Sequence, residues 1–492
     1  MRYFLTKNLH LIIIVALALA LRFYQLGQNP PGLFMDEASN GYNAYSILKT
    51  TRDQYGNFLP LTIRAFGDYN PALSVYLLIP SIAVFGLNEF AVRFPSALLG
   101  TLTVFLTYLL ARVLFKKDSI ALLCAFFLAI SPWHIQFSRY GHEANFMLFF
   151  VVLGIASFLY ALKNHLYLSL SAFSFALALN SYQGAKILVP VILLLLFIIY
   201  IKEIFNFKFK LILPVIILLL STLPIVLNFK NSLVRGQSVG ILSQDYPAKT
   251  FVSNYLSHFS PKFLFVEGDN IGRHSVSGMG ELYVFQLPLI ILGILSIIKL
   301  EGKSKSLILG LLLISPIPAS LTMPAPHALR SILFAPVWSI IAALGMVRLF
   351  SKTAIISLLA VLGLYNFATY LHLYYKHEPK LKAADWQDGY KEMVKYVDGV
   401  EENYNSIAIT NYFGHSYIFF LFYTRYDPNI YHPQSEEKLA LGKYEFFSAS
   451  WEKTKPGKAL VVTPPWQAHP PDVIKEIYAK NGELKFVISE TQ

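Results

Sequence analysis

The chain has 492 residues, 55% of them hydrophobic and only 14% charged, with a net charge of +12 and one cysteine. Its repeated apolar runs, bounded by Lys, Arg, Pro or Asn, match the roughly 20 helical residues that cross a bilayer core of about 30 Å. That pattern excludes a water-soluble globular protein, and the lone Cys124, inside one of the runs, excludes an intrachain disulfide or a cysteine metal site.

In chain order the runs fall near 9–27, 92–114, 119–137, 145–162, 165–182, 185–201, 210–227, 284–300, 304–322, 329–349 and 353–373. Lipid leaves every backbone polar group to be satisfied within the chain, so we read an α-helical polytopic membrane protein with about 11 transmembrane helices. The first run, LIIIVALALAL, also has the small residues of a signal-peptide cleavage site at Ala18 and Ala20. We read it as an uncleaved helix; cleavage would leave the remaining layout unchanged.

With the N-terminus inside, the cytoplasmic segments collect 14 basic residues, from Arg2 and Lys7 to Arg348 and Lys352, against Asp118, Glu203 and Glu301. The basic excess is therefore the positive-inside signal of topology. Nucleic-acid binding, which would need a basic stripe on one exposed face, is not expected.

Two outer segments, 28–91 and 228–283, are too polar and too rich in Gly, Pro and Asn to lie in lipid. In the first, Ala38, Tyr42, Tyr45 and Leu48 recur at helical spacing, predicting a short helix in the headgroup layer. Asp36 and Glu37 stand at its N-terminal end, where the helix dipole favours a carboxylate and where a capping role is equally open. The organisation predicted is a membrane domain over 1–373 and an extracytoplasmic α/β domain over 374–492. In the latter SIAIT, YEFFSA, KALVVTP and LKFVIS read as strands, and DWQDGYKEMVKYV and PDVIKEIYAK as helices. No nucleotide-binding glycine fingerprint occurs.

Polar residues recur at the outer ends of the runs: Asp36 and Glu37, Asp68 in AFGDYNP, Arg139, His142 and Glu143 in FSRYGHEANF, and Tyr182 and Lys186 in NSYQGAK. Asp269, Arg273 and His274 in EGDNIGRH, with His327 and Arg330 in PAPHALRS, complete the set, which can converge on one outer cavity. A carboxylate beside fixed cations suits a reaction in which it takes a proton from an attacking hydroxyl while Arg and Lys hold a departing phosphate. Interfacial cations also snorkel to lipid headgroups, and SRYGHEA also fits an ordinary ion-paired hairpin. His327 and Arg330 share a helix face and can grip a phosphate or, with a carboxylate such as Asp68, a divalent metal ion; no metal is assigned.

These motifs resemble the polyprenyl-phosphate-sugar-dependent glycosyltransferases of the GT-C fold, which include the dolichyl-phosphate-mannose protein mannosyltransferases and the lipid A aminoarabinose transferases. The shared features are the acidic pair after the first run, the SRYGHEA element, the PHALR segment, and the helix count with an outer C-terminal domain. The resemblance implies Asp36 as the catalytic base, with Glu37 as its paired acid. It carries the roles of an outer Arg and the acid after it to Arg139 and Glu143, though relatives often place Asp at slightly different spacing. Phosphate binding extends to Lys186, His327 and Arg330, and His142, Asp68, Tyr182 and Arg273 join the substrate-binding set. It also implies a plasma-membrane enzyme with its site outside, taking a lipid-linked sugar donor and a lipid, glycan or protein acceptor, with membrane lipids around it. The alternative is a transporter or flippase of a lipid-linked or anionic substrate, which should place ionisable residues near the bilayer midplane.

Overall fold

The computed structural model describes residues 2–228, 240–431, 441–448, 451 and 457–491. Residues 229–239 of the second outer segment and Ala449 of YEFFSA lie outside them. Two compact units emerge, one of 1–24 with 96–373 and one of 25–95 with 374–492. The first outer segment thus groups with the C-terminal region.

Each apolar run in the first unit is helical, including Arg2–Phe23, Glu143–Ala161, Leu166–Leu179, Ala185–Asn206, Gln286–Lys299, Phe334–Arg348 and Thr353–His372. Among the described residues five helices are long and apolar enough to cross a membrane, or six when the bent pair Asp118–Ile130 and Pro132–Ser138 counts as one. That pair turns by 61° at Ser131, whose hydroxyl accepts the His134 N–H and which precedes a proline at the first helical position. Small residues let two helices cross closely: a Cβ on Gly345 would overlap the Leu289 carbonyl oxygen, and one on Gly293 that of Ile341. Without a hydrophobic force between helices in lipid, such backbone proximity is the available source of packing energy.

The second unit holds the helix Met35–Thr50, and its existence agrees with the periodicity of Ala38, Tyr42 and Tyr45. Protein surrounds this helix: residues from Glu37 to Ile47 are almost all buried. The helix Ser416–Tyr423 presses Phe422 so close to Gly41 that no side chain fits there. A hairpin of β1 (Thr62–Ala65) and β2 (Asp68–Pro71) turns through Phe66 and Gly67, both at positive φ (54° and 79°), as a type I′ turn requires.

The C-terminal region is an α/β domain, as expected. Its sheet has the order β4-β3-β5-β7-β6, with β3 at Ser406–Thr410, β4 at Tyr444–Phe447, β5 at Ala459–Thr463, β6 at Asp472–Tyr478 and β7 at Leu484–Thr491. β4, β3 and β5 run parallel, and β3 and β5 are buried along their whole length, which is why SIAIT and ALVVT read as continuous apolar runs. The helix Tyr390–Val400 covers the sheet through Tyr390, which stacks on Phe419 at 4.0 Å and meets Phe486 edge-on at 5.1 Å. PDVIKEIYAK is not a helix: Asp472–Tyr478 pairs antiparallel with β7 across the Asn481-Gly482 turn. An Asn-Gly step between β-branched runs is a hairpin signal, and here it overrides the helical charge pattern.

Two glycine substitutions test this packing. Gly345→Val should destabilise the protein by about 3 kcal/mol and sharply lower the yield of monodisperse protein on size exclusion. Gly399→Ala, in a helix with open space around it, should stabilise by about 0.5–1 kcal/mol in thermal unfolding.

Candidate functional site

The sequence-predicted residues divide between the units: Asp36, Glu37 and Asp68 lie in the second, the others in the first.

In the second unit the chain leaves the Asn29-Pro30-Pro31-Gly32 turn in extended conformation at Phe34 and enters the helix at Met35. Asp36 is half-buried in the first turn, where the helix dipole favours its negative charge. Glu37, one residue on, is sealed from solvent and accepts the Phe34 N–H at 3.2 Å, one half of a capping box. Its carboxylate also takes both arms of Arg93, at 2.9 Å from Nε and 3.1 Å from Nη2. Arg93 spends its remaining donors on the carbonyls of Pro30 (2.9 Å), Leu26 (3.4 Å) and Gly32. One buried guanidinium therefore fixes the turn and the helix start that carry Asp36. Glu37, expected beside Asp36 as a catalytic acid, has a carboxylate fully committed to this clamp. Asp68 sits on the β hairpin, accepting the Tyr69 N–H at 2.8 Å.

In the first unit Arg139 is fully buried, and its guanidinium donates to the carbonyls of Leu21 (2.9 Å) and Arg22 (3.2 Å) at the end of the first helix. His142 caps the helix Glu143–Ala161, accepting the Ala144 N–H, and its Nδ1 lies 3.0 Å from Glu143 Oε2. The His142 ring meets Tyr182 edge-on at 5.8 Å, and Arg330 donates to the Tyr182 hydroxyl. Arg330 also donates to Thr322 Oγ1 at 2.7 Å and to the Met323 carbonyl at 3.0 Å. Lys186 is half-buried in the first turn of Ala185–Asn206. His142, Glu143, Tyr182 and Arg330 are thus one group of the predicted set that the fold brings together.

The chain of contacts continues from Arg330, whose N–H points at His327 Nδ1 (3.4 Å), to a second cluster around Asp269. Asp269 Oδ2 accepts the Ala328 N–H at 2.7 Å and lies 2.9 Å from His274 Nδ1, and Oδ1 accepts the Ile271 N–H at 2.9 Å. Next to these, Arg273 lends its carbonyl to Gln136 at 2.7 Å. His258, which the sequence alone did not single out, donates through Nδ1 to the Asn254 carbonyl at 2.7 Å and accepts the His327 N–H at 3.0 Å. Burial lowers the pKa of His274 and His327 and brings His258 down to about 4, so all three imidazoles are neutral at neutral pH. Burial also pushes the Glu281 carboxyl well above the usual range; it accepts the Asp269 N–H at 3.1 Å. Asp269, His274 and His327 are the described group with the geometry to hold a metal ion.

Comparison with solved structures places this architecture. ArnT from Cupriavidus metallidurans in the apo state aligns over 99% of this chain and 98% of its own, with a TM-score of 0.59 at 12% identity. This is the GT-C fold. The undecaprenyl-phosphate-bound form of that ArnT gives a TM-score of 0.58 at 13% identity, covering 98% of both chains. The Archaeoglobus fulgidus oligosaccharyltransferase in complex with Zn and sulfate shares the GT-C fold over 83% of this chain, with a TM-score of 0.52 and 15% identity, but this match spans only 61% of its length. The family model of dolichyl-phosphate-mannose-protein mannosyltransferase matches residues 12–234, under half of the chain. An uncharacterised Aquifex aeolicus protein is 31% identical over 145 residues, 29% of this chain and 28% of its own.

Within this GT-C fold the Glu37–Arg93 pair is testable by itself. Glu37→Gln, which strands a buried guanidinium, should cost about 3–5 kcal/mol in thermal or denaturant unfolding. The double variant Glu37→Gln/Arg93→Met should lose clearly less than the two single losses combined; simple additivity would show that the pair is uncoupled.

Proposed function

We propose that this protein is an integral membrane glycosyltransferase that moves a sugar from a polyprenyl-phosphate carrier to a hydroxyl acceptor. The observation that carries this reading is the alignment, over 98% of both chains, with a GT-C structure bound to undecaprenyl phosphate. The family match over 12–234 points to the same class of lipid-phosphate donor. A site on the extracytoplasmic face of the plasma membrane follows from the charge distribution of the connecting segments. It also explains the donor, because the lipid carrier crosses to a compartment that has no nucleotide-sugar supply.

In the proposed reaction the acceptor oxygen attacks the anomeric carbon from the face opposite the phosphate. The bond from that carbon to the phosphate oxygen breaks, its electron pair leaves on the polyprenyl phosphate, and the configuration inverts. Asp36 takes the acceptor proton. Its place in the first turn sets it beside the positive end of the helix dipole, and the Arg93–Glu37 clamp fixes the turn and helix start that carry it. Glu37 is a positioning residue in this account. Arg330, pre-aimed by Thr322, Met323 and Tyr182, together with Lys186 at a helix start, holds the departing phosphate. His142 and Glu143, neighbours at the start of one helix, orient the sugar hydroxyls.

Purified protein supplied with radiolabelled polyprenyl-phosphate sugars and an envelope extract as acceptor should move label from the lipid to a product. Asp36→Asn should lower that rate by about 10²–10⁴-fold while leaving the unfolding midpoint unchanged. Full activity in the variant would remove Asp36 from the role of base. Wild-type protein inert toward every lipid-phosphate sugar would count against the transferase reading as a whole.

A further inference from the structure

The first helix, Arg2–Phe23, packs chiefly on Asp118–Ile130, and a groove of about 560 Å³ separates it from the helix Glu89–Phe115. All the lining residues belong to the first unit. Leu11, Val15 and Leu19 recur every four residues on one face of the first helix and form one wall; Phe105 and Leu109 form the other. The groove is therefore apolar along its length. In the hydrocarbon of a bilayer an empty groove forfeits packing contacts, and water inside it would find no polar partners along these walls. A hydrocarbon chain is the filling that remains. The lining of the first helix runs from Asn8 to Leu19, a rise of about 16 Å at 1.5 Å per residue, and half of a 30 Å bilayer core is about 15 Å. The groove thus has the depth of one leaflet.

One end of the groove is polar. Asn8 and Arg112 line it there, and Arg112 is held in place: its Nε donates to Asp118 Oδ1 at 3.0 Å, and its guanidinium lies 5.8 Å from the centre of the Tyr108 ring. The Tyr108 hydroxyl donates to the same Asp118 oxygen at 3.4 Å. About half of the Arg112 side chain stays exposed, at 48%. Lys116 and Lys117, both exposed, follow within five residues, so the stretch 112–118 sets three cations against one carboxylate. The charge distribution of the connecting segments assigns this stretch to the cytoplasmic side.

We propose that the groove holds an acyl chain of one anionic phospholipid from the leaflet on the lysine- and arginine-rich side, with the lipid phosphate on Arg112. Charge complementarity selects this occupant: cations beside a membrane surface attract anionic headgroups, and a guanidinium fork matches phosphate oxygens. A zwitterionic lipid fills the same walls but gains less at the mouth. Lys186 and Arg330, the residues given to the departing phosphate, stand on other segments and are not among the lining residues. Lipid binding here is therefore independent of the transferase reading. The bound lipid wedges the start of the first helix against Glu89–Phe115, while Arg139 grips the carbonyls at its other end.

The test uses the full chain purified in mild detergent, washed free of lipid, and mixed with phosphatidylglycerol or phosphatidylcholine. Native mass spectrometry reads the lipid retained, and thermal unfolding reads its effect on stability. Wild type should keep one phosphatidylglycerol after further lipids are stripped, and should bind it at least about five-fold more tightly than phosphatidylcholine, the effect of one cation at an anionic surface. Its unfolding midpoint should rise with phosphatidylglycerol. Arg112→Gln should erase the preference, and Ala16→Phe, which places a ring in the groove, should remove most of the retained lipid. Leu219→Phe, on an exposed apolar face outside the groove, should change neither. Should the groove variants fail to fold, wild type alone decides, through its lipid preference and midpoint. Equal binding of the two lipids, or retention that folded Arg112→Gln and Ala16→Phe leave unchanged, overturns the proposal. So does a wild type that prefers a polyprenyl phosphate to phosphatidylglycerol and loses it in Ala16→Phe, which would give the groove to the sugar carrier instead.

Discussion

Burying a guanidinium is costly unless its donors find acceptors, and the three largest fully buried cations of the described residues find backbone carbonyls in related ways. Arg22, Arg93 and Arg139 are all fully buried. Arg22 donates to the carbonyls of Ala18, Leu128 and Ala129 and meets His134 Nδ1 at 2.6 Å, gathering the loose carbonyls at the bend between Asp118–Ile130 and Pro132–Ser138. Arg139 does the same for the end of the first helix, and Arg93 for the turn before Met35. Helix ends leave carbonyls without partners and carry negative dipole ends, so a buried arginine at such a place solves two problems at once. The bends and turns that carry the polar motifs are the places where these arginines act.

What the sequence discloses follows the reach of each interaction. Apolar runs and the period of Ala38, Tyr42 and Tyr45 are local, and helices stand at all of them. Continuous β-branched runs such as SIAIT and ALVVT gave the inner strands for the same reason. PDVIKEIYAK misled because Lys475 and Glu476 imitate a helical surface, while the decisive contact, a hairpin partner across Asn481-Gly482, lies beyond the segment. The burial of the helix from Met35 was hidden for the same reason, because the chain that covers it comes from residues some 380 positions later, as in the Tyr42 hydroxyl bond to the Tyr426 carbonyl.

For the polar residues, type and neighbourhood were legible but partners were not. Glu37 looks like half of an acid pair until Arg93, 56 residues away, is seen to own its carboxylate. The only signal for Arg93 was a charge near the start of an otherwise apolar run. Arg139 reads as an anion holder in SRYGHEA, and nothing nearby hints at the Leu21 and Arg22 carbonyls. Asp269, His274 and His327 were all visible as outer polar residues, but their meeting joins two stretches about 55 residues apart, and His258 gave no local sign.

The chemistry that follows is a division of labour. Glu37 and Arg139 bind groups that fix the backbone, and in the proposed reaction Asp36 acts on the acceptor hydroxyl while Arg330 and Lys186 act on the phosphate. The central claim, displacement of a polyprenyl phosphate by an acceptor hydroxyl assisted by one carboxylate, is tested most directly by stereochemistry. A donor of defined anomeric configuration is incubated with the purified protein, and the configuration in the product is read by NMR. Inversion is the predicted result. Retention would require an intermediate for which this account supplies no nucleophile, and would contradict it.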